Sequence, residues 1–273
     1  MKRKGIYRPT IEDAVEISGI ETLHPGGFAL TRRTAEVAGI RPGMKVLDVS
    51  SGRGTQAVYY AREFGADVTG VDLAPEMVRA ARALAARAGL EASVRFERGD
   101  SQALPFDDTT FDIVINECAV GIPDDSQRVL DEMVRVVQPG GHIAIHESTW
   151  RKPLSPTEKE EISERYGTTP LEHTEWIAML GRAGAEDIQS ELEPWSKPEN
   201  FWKVRQERDV TGPGKILTPA ERIRTVWRIF SRYGPRGPFT VLRNERLFYR
   251  TVLSGSLGYG LYWGVRPGAV LPS

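Results

Sequence analysis

The sequence predicts an α/β protein: a doubly wound, mostly parallel seven-stranded sheet with a helical insertion before the last strand. Three observations predict it. Short apolar runs alternate with helical patterns from Met44 to Glu147, the rhythm of repeated βα units. The first run, Val46-Leu47-Asp48-Val49, leads straight into a Gly52-x-Gly54 turn and a new helix. The rhythm breaks after Trp150 and ends in an alternating run through Leu257, Tyr259, Leu261 and Trp263.

Taken in order, residues 1–43 read as an N-terminal helical cap. Ile11 to Ile17 is a short amphipathic piece, His24-Pro25-Gly26-Gly27 a turn, and Phe28 to Ala38 a helix ended by Gly39-Ile40-Arg41-Pro42-Gly43. The core is expected over 44–193. Strands are expected at 45–49, 67–71, 92–97, 111–116 and 142–147, with helices at 54–64, 75–88 and 124–137. Pro75 opens the second helix and Gly89 follows its end, the usual asymmetry of helix termini. Residues 151–170 read as a loop with a short charged helix, 174–184 as a helix and 185–192 as a strand. The stretch 194–254 is a helical insertion, and 255–273 holds the final strand and tail.

Bulk properties exclude more than they assign. The net charge of -1 gives no global attraction to nucleic acid or an anionic membrane. One cysteine, Cys118, rules out an intramolecular disulfide and a cysteine-cluster metal site. No two histidines sit at ligand spacing on one element, so no metal is expected. No apolar stretch follows Met1-Lys2-Arg3-Lys4 and no run is long enough to span a bilayer, so a cytoplasmic location is expected.

Ligands of a doubly wound sheet sit beyond the carboxyl ends of its strands. There, Gly52 and Gly54 allow close backbone approach, and Asp72 ends the second strand, where a carboxylate can accept from two ribose hydroxyls. Gly52-Arg53-Gly54-Thr55-Gln56-Ala57 also fits a dinucleotide pattern. Asp48 argues against it: a carboxylate before the turn suits a ligand ammonium and repels a pyrophosphate. Gly99-Asp100-Ser101 after strand three offers acceptors to an adenine amino group. S-adenosylmethionine (SAM) meets these demands.

The set Val46-Leu47-Asp48, Gly52-x-Gly54, Val71-Asp72, Gly99-Asp100-Ser101-x-x-Leu104-Pro105-Phe106, Phe111-Asp112 and Val137-x-Pro139-Gly140-Gly141 resembles the Rossmann-like SAM-dependent methyltransferases. It is most similar to the type 11 domain group that includes ubiquinone/menaquinone C-methyltransferases, over roughly residues 25–150 plus the final strand. The resemblance implies that Asp48 and the Ser50–Gly54 backbone hold the methionine moiety and Asp72 the ribose. It implies that Leu73 and Met77 flank the adenine, that Asp100 and Ser101 meet its edge, and that Asn116 lines the methionine side. Ser50 departs from the pattern, which usually has Gly there.

The acceptor side is thinner. Asn116-Glu117-Cys118-Ala119 is not the Asn/Asp-Pro-Pro-aromatic motif of base-amine methylation, and Cys118 lacks the Pro that precedes a cytosine-methylating cysteine. A nucleic-acid target is therefore disfavoured, and Cys118 reads as a small buried hydrophobe. His146 is the foremost general-base candidate, with Glu117 and Glu147 beside it; alternation puts His146 and Glu147 on opposite faces of their strand. His24, His142 and His173 read as surface, capping or structural, and Tyr7 as a surface tyrosine.

In the insertion, Ile216, Ile223, Val226, Trp227, Phe230 and Tyr233 follow helical spacing among Arg222, Arg224, Arg228 and Arg232. The plain expectation is an amphipathic helix packed on the sheet with its arginines in solvent. A lid over an apolar acceptor, a peripheral membrane contact and a homodimer interface are the sharper readings. The expectation is thus a SAM-dependent methyltransferase for a small-molecule or lipid/quinone-like acceptor, with S-adenosylhomocysteine as product. A non-catalytic SAM-binding regulator and an NAD-linked oxidoreductase are the alternatives.

Overall fold

The computed structural model describes residues 9–20, 24–193, 195–201, 203 and 216–268. Tyr7 and residues 204–215 of the insertion lie outside them. In chain order the elements are α1 (Ile11–Ser18), α2 (Gly27–Ala38), β1 (Lys45–Val49), α3 (Thr55–Phe64), β2 (Asp67–Asp72), α4 (Pro75–Ala88), β3 (Val94–Arg98), β4 (Phe111–Glu117), α5 (Ser126–Val136) and β5 (Val137–Trp150). There follow α6 (Pro156–Tyr166), β6 (Leu171–Glu172), α7 (His173–Arg182), β7 (Glu186–Glu191), α8 (Pro198–Phe201), α9 (Pro219–Tyr233), α10 (Gly237–Leu253) and β8 (Leu257–Val265).

The sheet runs β3-β2-β1-β4-β5-β8-β7, with the two-residue β6 paired to the end of β5. These are the seven expected strands plus one short addition. β1 pairs in parallel with β2 and β4, and β7 pairs antiparallel with β8. Chain order reverses on either side of β1, so the loops after β1 and β4 diverge and leave a crevice at the strands' carboxyl ends.

The described residues fall into two compact units. The sheet unit comprises those of 29–147, 173–191 and 260–268. Val46, Leu47, Val49, Ile113, Val114, Ile115, Ile143, Ala144 and Ile145 are all completely buried there. Strands covered on both faces need apolar residues at consecutive positions, which is why they read as unbroken runs in the sequence. α3 buries Ala57, Val58, Tyr60 and Ala61, and α5 buries Val129, Leu130, Met133 and Val136.

One strand exceeds its sequence signal. β5 begins at Val137, not at 142, and takes in Pro139-Gly140-Gly141. Gly140 donates its N–H to Arg266 O at 2.8 Å, and Arg266 donates to Gly141 O at 2.9 Å. Pro139 has no N–H to lose, and its neighbours carry the pairing to the other strand.

The helical unit comprises the described residues of 9–28, 148–172 and 192–259. Ala14, Ile229 and Val241 form its centre, joined by Ile17 and Tyr233. A second cluster sets Phe248 at 4.6 Å from Tyr166 and 5.7 Å from Phe201, measured between ring centres. His24, expected as a surface or capping residue, is buried, with Nδ1 2.8 Å from Pro25 O.

The packing of α9 corrects the expected one. It lies against α1 and α10, and its buried residues are Thr225 and Ile229. Ile223 (72% exposed), Trp227 (67%) and Phe230 (42%) face solvent. Ile229 packs on Ala14 and Val241, and polar ties accompany this rotation. Tyr233 donates its hydroxyl to Asp13 Oδ1 at 3.0 Å, and Arg228 donates to Ile17 O at 3.2 Å. Asp13 is itself held by the capping box of α1 with Thr10, so the helix also carries hydrogen bonds that hydrophobic periodicity does not register.

Candidate active site

The loop after β1 is shaped by positive φ angles. Ser50 lies at φ 60°, Gly52 at 52° and Gly54 at 76°. Ser50 therefore follows the left-handed path that glycine adopts without strain, at a cost of about 1–2 kcal/mol. At Gly54 only glycine fits, since a Cβ there would lie 2.4 Å from Phe96 Cζ and 2.8 Å from Ala81 Cβ.

Asp72 ties this loop to β2. Its Oδ2 accepts from Gly52 N–H and its Oδ1 from Ala74 N–H, both at 2.9 Å. Ser51 donates its N–H to Val71 O at 2.9 Å, and Gly99 donates to Asp72 O at 3.1 Å. The tips of β1, β2 and β3 are thus laced into one rim. Each Asp72 oxygen retains a lone pair for a further donor. Burial raises the Asp72 carboxyl above its usual value, and the two backbone N–H groups pull it back down.

Asp48 is 2% exposed and its Oδ2 has no hydrogen-bond partner. Burial pushes its carboxyl well above the usual range, and the charges of Glu117 and Asp72 push the same way; the Ala57 N–H opposes them. A buried carboxylate among acids, with one oxygen unsatisfied, is a ready acceptor for a cation or an N–H donor.

Asn116 is also buried. Its Oδ1 accepts from Ala119 N–H at 2.9 Å, which fixes the amide, while Nδ2 has no partner. Val49 pairs with Asn116 and Asp48 with Ile115, so Asp48 and Asn116 leave the sheet on opposite faces.

Glu117 shares the Asp48 face and is enclosed by donors. Thr31 Oγ1 donates to its Oε2 at 2.9 Å, Tyr60 OH donates to its Oε1, and His146 Nε2 lies 3.0 Å from Oε2. Burial, then Glu117, raises the Tyr60 phenol well above its usual value, so it stays a donor. Glu117 and His146 are register partners across β4 and β5, which brings them together. Glu147, one residue on, accepts from Val120 N–H at 2.6 Å and Gly121 N–H at 3.4 Å and so braces the loop after β4.

On the rim, Leu73 is 60% exposed, Met77 half-buried and Ser101 buried. Asp100 Oδ1 accepts from Gln102 N–H at 2.9 Å. Sequence reasoning missed Tyr60 and Thr31. Both come from helices, and only the tertiary fold carries them to Glu117.

A methyltransferase domain model matches residues 46–141. An uncharacterized protein of Mycobacterium tuberculosis is 43% identical over 108 residues, 40% of this chain and 38% of that protein. The ubiquinone/menaquinone biosynthesis C-methyltransferase of Idiomarina loihiensis is 35% identical over 128 residues, 46% of this chain and 50% of that one. The chain thus spans half or less of these relatives' lengths. Among solved structures, Haemonchus contortus phosphoethanolamine N-methyltransferase 2 in complex with S-adenosyl-L-methionine superposes with a TM-score of 0.70 at 20% identity, over 94% of this chain and 57% of that one. Residues 46–141 thus carry a methyltransferase domain of the Rossmann-like, SAM-dependent kind.

Proposed function

We propose that the protein transfers a methyl group from SAM to a small apolar or lipid-like acceptor and releases S-adenosylhomocysteine. The observation that carries this reading is the pair of strand-tip acids around a glycine loop. Asp48 presents a buried, unpartnered Oδ2 for the ligand ammonium, and Asp72 presents its remaining lone pairs to the ribose. Asn116, buried with an unpartnered Nδ2, would line the methionine side. Exposed Leu73 and half-buried Met77 would flank the adenine, with Asp100 and Ser101 at its edge. Ser50, Gly52 and Gly54 would supply backbone contacts.

When bound, SAM supplies a methyl group already activated on a sulfonium. The chain's own work is alignment, exclusion of water and, for some acceptors, removal of a proton. His146 is the proposed base. Glu117, itself held by Tyr60 and Thr31, orients its ring. Glu147 acts by positioning the loop after β4.

A cavity of about 340 Å³ within the helical unit supports a largely apolar acceptor: Ile11, Ala14, Ile229, Val241 and Phe248 wall it, with Glu12, Arg222, Glu245 and Arg246 also on its lining. This is the size and lining of a small-molecule site. The test is conversion of SAM to S-adenosylhomocysteine across a panel of quinones, phenols and lipids. Turnover with an apolar acceptor is expected. SAM binding without turnover across the panel would instead make the protein a non-catalytic binder.

A further inference from the structure

Charge in this chain is segregated. The net charge is -1, yet residues 216–254 hold eight arginines and two glutamates. All eight arginines are exposed. Two features of the helical unit use them. On α10, Phe239, Arg243, Arg246 and Arg250 recur at helical spacing along one exposed face. With Arg165 of α6 they line a groove of about 610 Å³. The one acid bordering it, Glu161, is already paired to Arg165 at 2.5 Å. On α9, Ile223, Trp227 and Phe230 form an exposed apolar stripe, with the two aromatic rings stacked 5.6 Å apart between centres. Arg224 and Arg228 flank it.

We propose that the helical unit docks on an anionic phospholipid bilayer, with the α10 groove taking lipid phosphates and the α9 stripe entering the interface. Planar guanidinium groups match phosphate oxygens in pairs. An apolar stripe bordered by arginines is the pattern of a helix lying in a membrane surface. Charge decides against the other occupants. Two copies meeting through the groove would set Arg165, Arg243, Arg246 and Arg250 against the same four arginines, and a free anion gives the apolar stripe nothing to bury against. The proposal concerns a surface outside the SAM loop, although Arg246 also borders the acceptor cavity.

Co-sedimentation of the full chain with vesicles tests it. Binding to phosphatidylcholine vesicles containing phosphatidylglycerol is expected, falling with added salt, with little binding to phosphatidylcholine alone. Arg243→Glu with Arg246→Glu should weaken binding by at least about 30-fold. Trp227→Ser with Phe230→Ser should weaken it by about tenfold or more. All four side chains are exposed, so the variants should fold, and an S-adenosylhomocysteine titration on each reads the methyltransferase site separately. Equal capture by neutral vesicles, or indifference to either pair, overturns the proposal. So does thermal stabilisation by inorganic phosphate without vesicle capture, which would mark a free-anion site. Concentration-dependent dimerisation abolished by Trp227→Ser would mark a self-association surface and overturn it too.

Discussion

Asp48→Asn should stabilise the ligand-free protein while crippling SAM binding. In the free protein Asp48 is buried, its Oδ2 has no partner, and its nearest charges are the acids Glu117 and Asp72. A buried orphan costs about 1–3 kcal/mol, more when charged. Asn keeps the shape and an acceptor for the Ala57 N–H, but its amide N–H replaces one orphan by a neutral one. The net gain is about 1 kcal/mol near pH 8, or about 2–4 °C in Tm. The gain depends on pH. Asp48 has a folded-state value raised above its usual 3.8, so between the two values the unfolded chain ionises while the folded chain keeps its proton. Stability is therefore lost as pH rises from 3.8 through the folded value. Melting curves of both proteins from pH 4 to 8 should coincide at the acid end and separate toward pH 8, with the Asn variant higher. Isothermal titration should show SAM binding the wild type more tightly as pH rises and the variant at least about tenfold more weakly. A constant Tm deficit for Asp48→Asn at every pH would refute an uncompensated buried acid.

Other perturbations probe the remaining parts. Gly54→Ala places a Cβ against Phe96 and Ala81 at φ 76°, and should cost about 2 kcal/mol or more by thermal melting; an unchanged Tm would mean the loop can shift. Ser50→Gly relieves a left-handed serine, offset by the entropy of an added glycine, so Tm should rise or hold within about 1 kcal/mol, and a clear fall would mean that Ser50 makes a contact worth more than its strain. His146→Ala should leave S-adenosylhomocysteine affinity unchanged and slow transfer to a protonated acceptor by about 10²-fold; an unchanged rate makes His146 structural.

The sheet was legible because parallel strands buried on both faces spell continuous apolar runs, and the turns between them spell Gly and Pro. The placing of Asp48, Asp72 and Asn116 was legible for the same reason: they stand near strand ends, where position in the run announces position in space. The surroundings of Glu117 were not. Thr31 and Tyr60 reach it from 86 and 57 residues away in sequence, and nothing local marks them. The orientation of α9 was misread because its apolar residues do follow a helical stripe. Thr225 and Ile229 face inward instead, with Ile229 packed on Ala14 and Val241, and hydrogen bonds from Tyr233 and Arg228 to α1 accompany that packing. The span of β5 was hidden by Pro139-Gly140-Gly141, which reads as a stop and is instead part of the strand.

The central claim is that the loop after β1, with Asp72 behind it, holds SAM. Equilibrium titration of S-adenosylhomocysteine into the wild type and Asp72→Ala, with NAD as competitor, tests it most directly. One saturable site is expected in the wild type, untouched by NAD. In the variant, affinity should fall at least about tenfold through lost charge-assisted hydrogen bonds. Displacement by NAD, or equal affinity in the two proteins, would contradict the assignment.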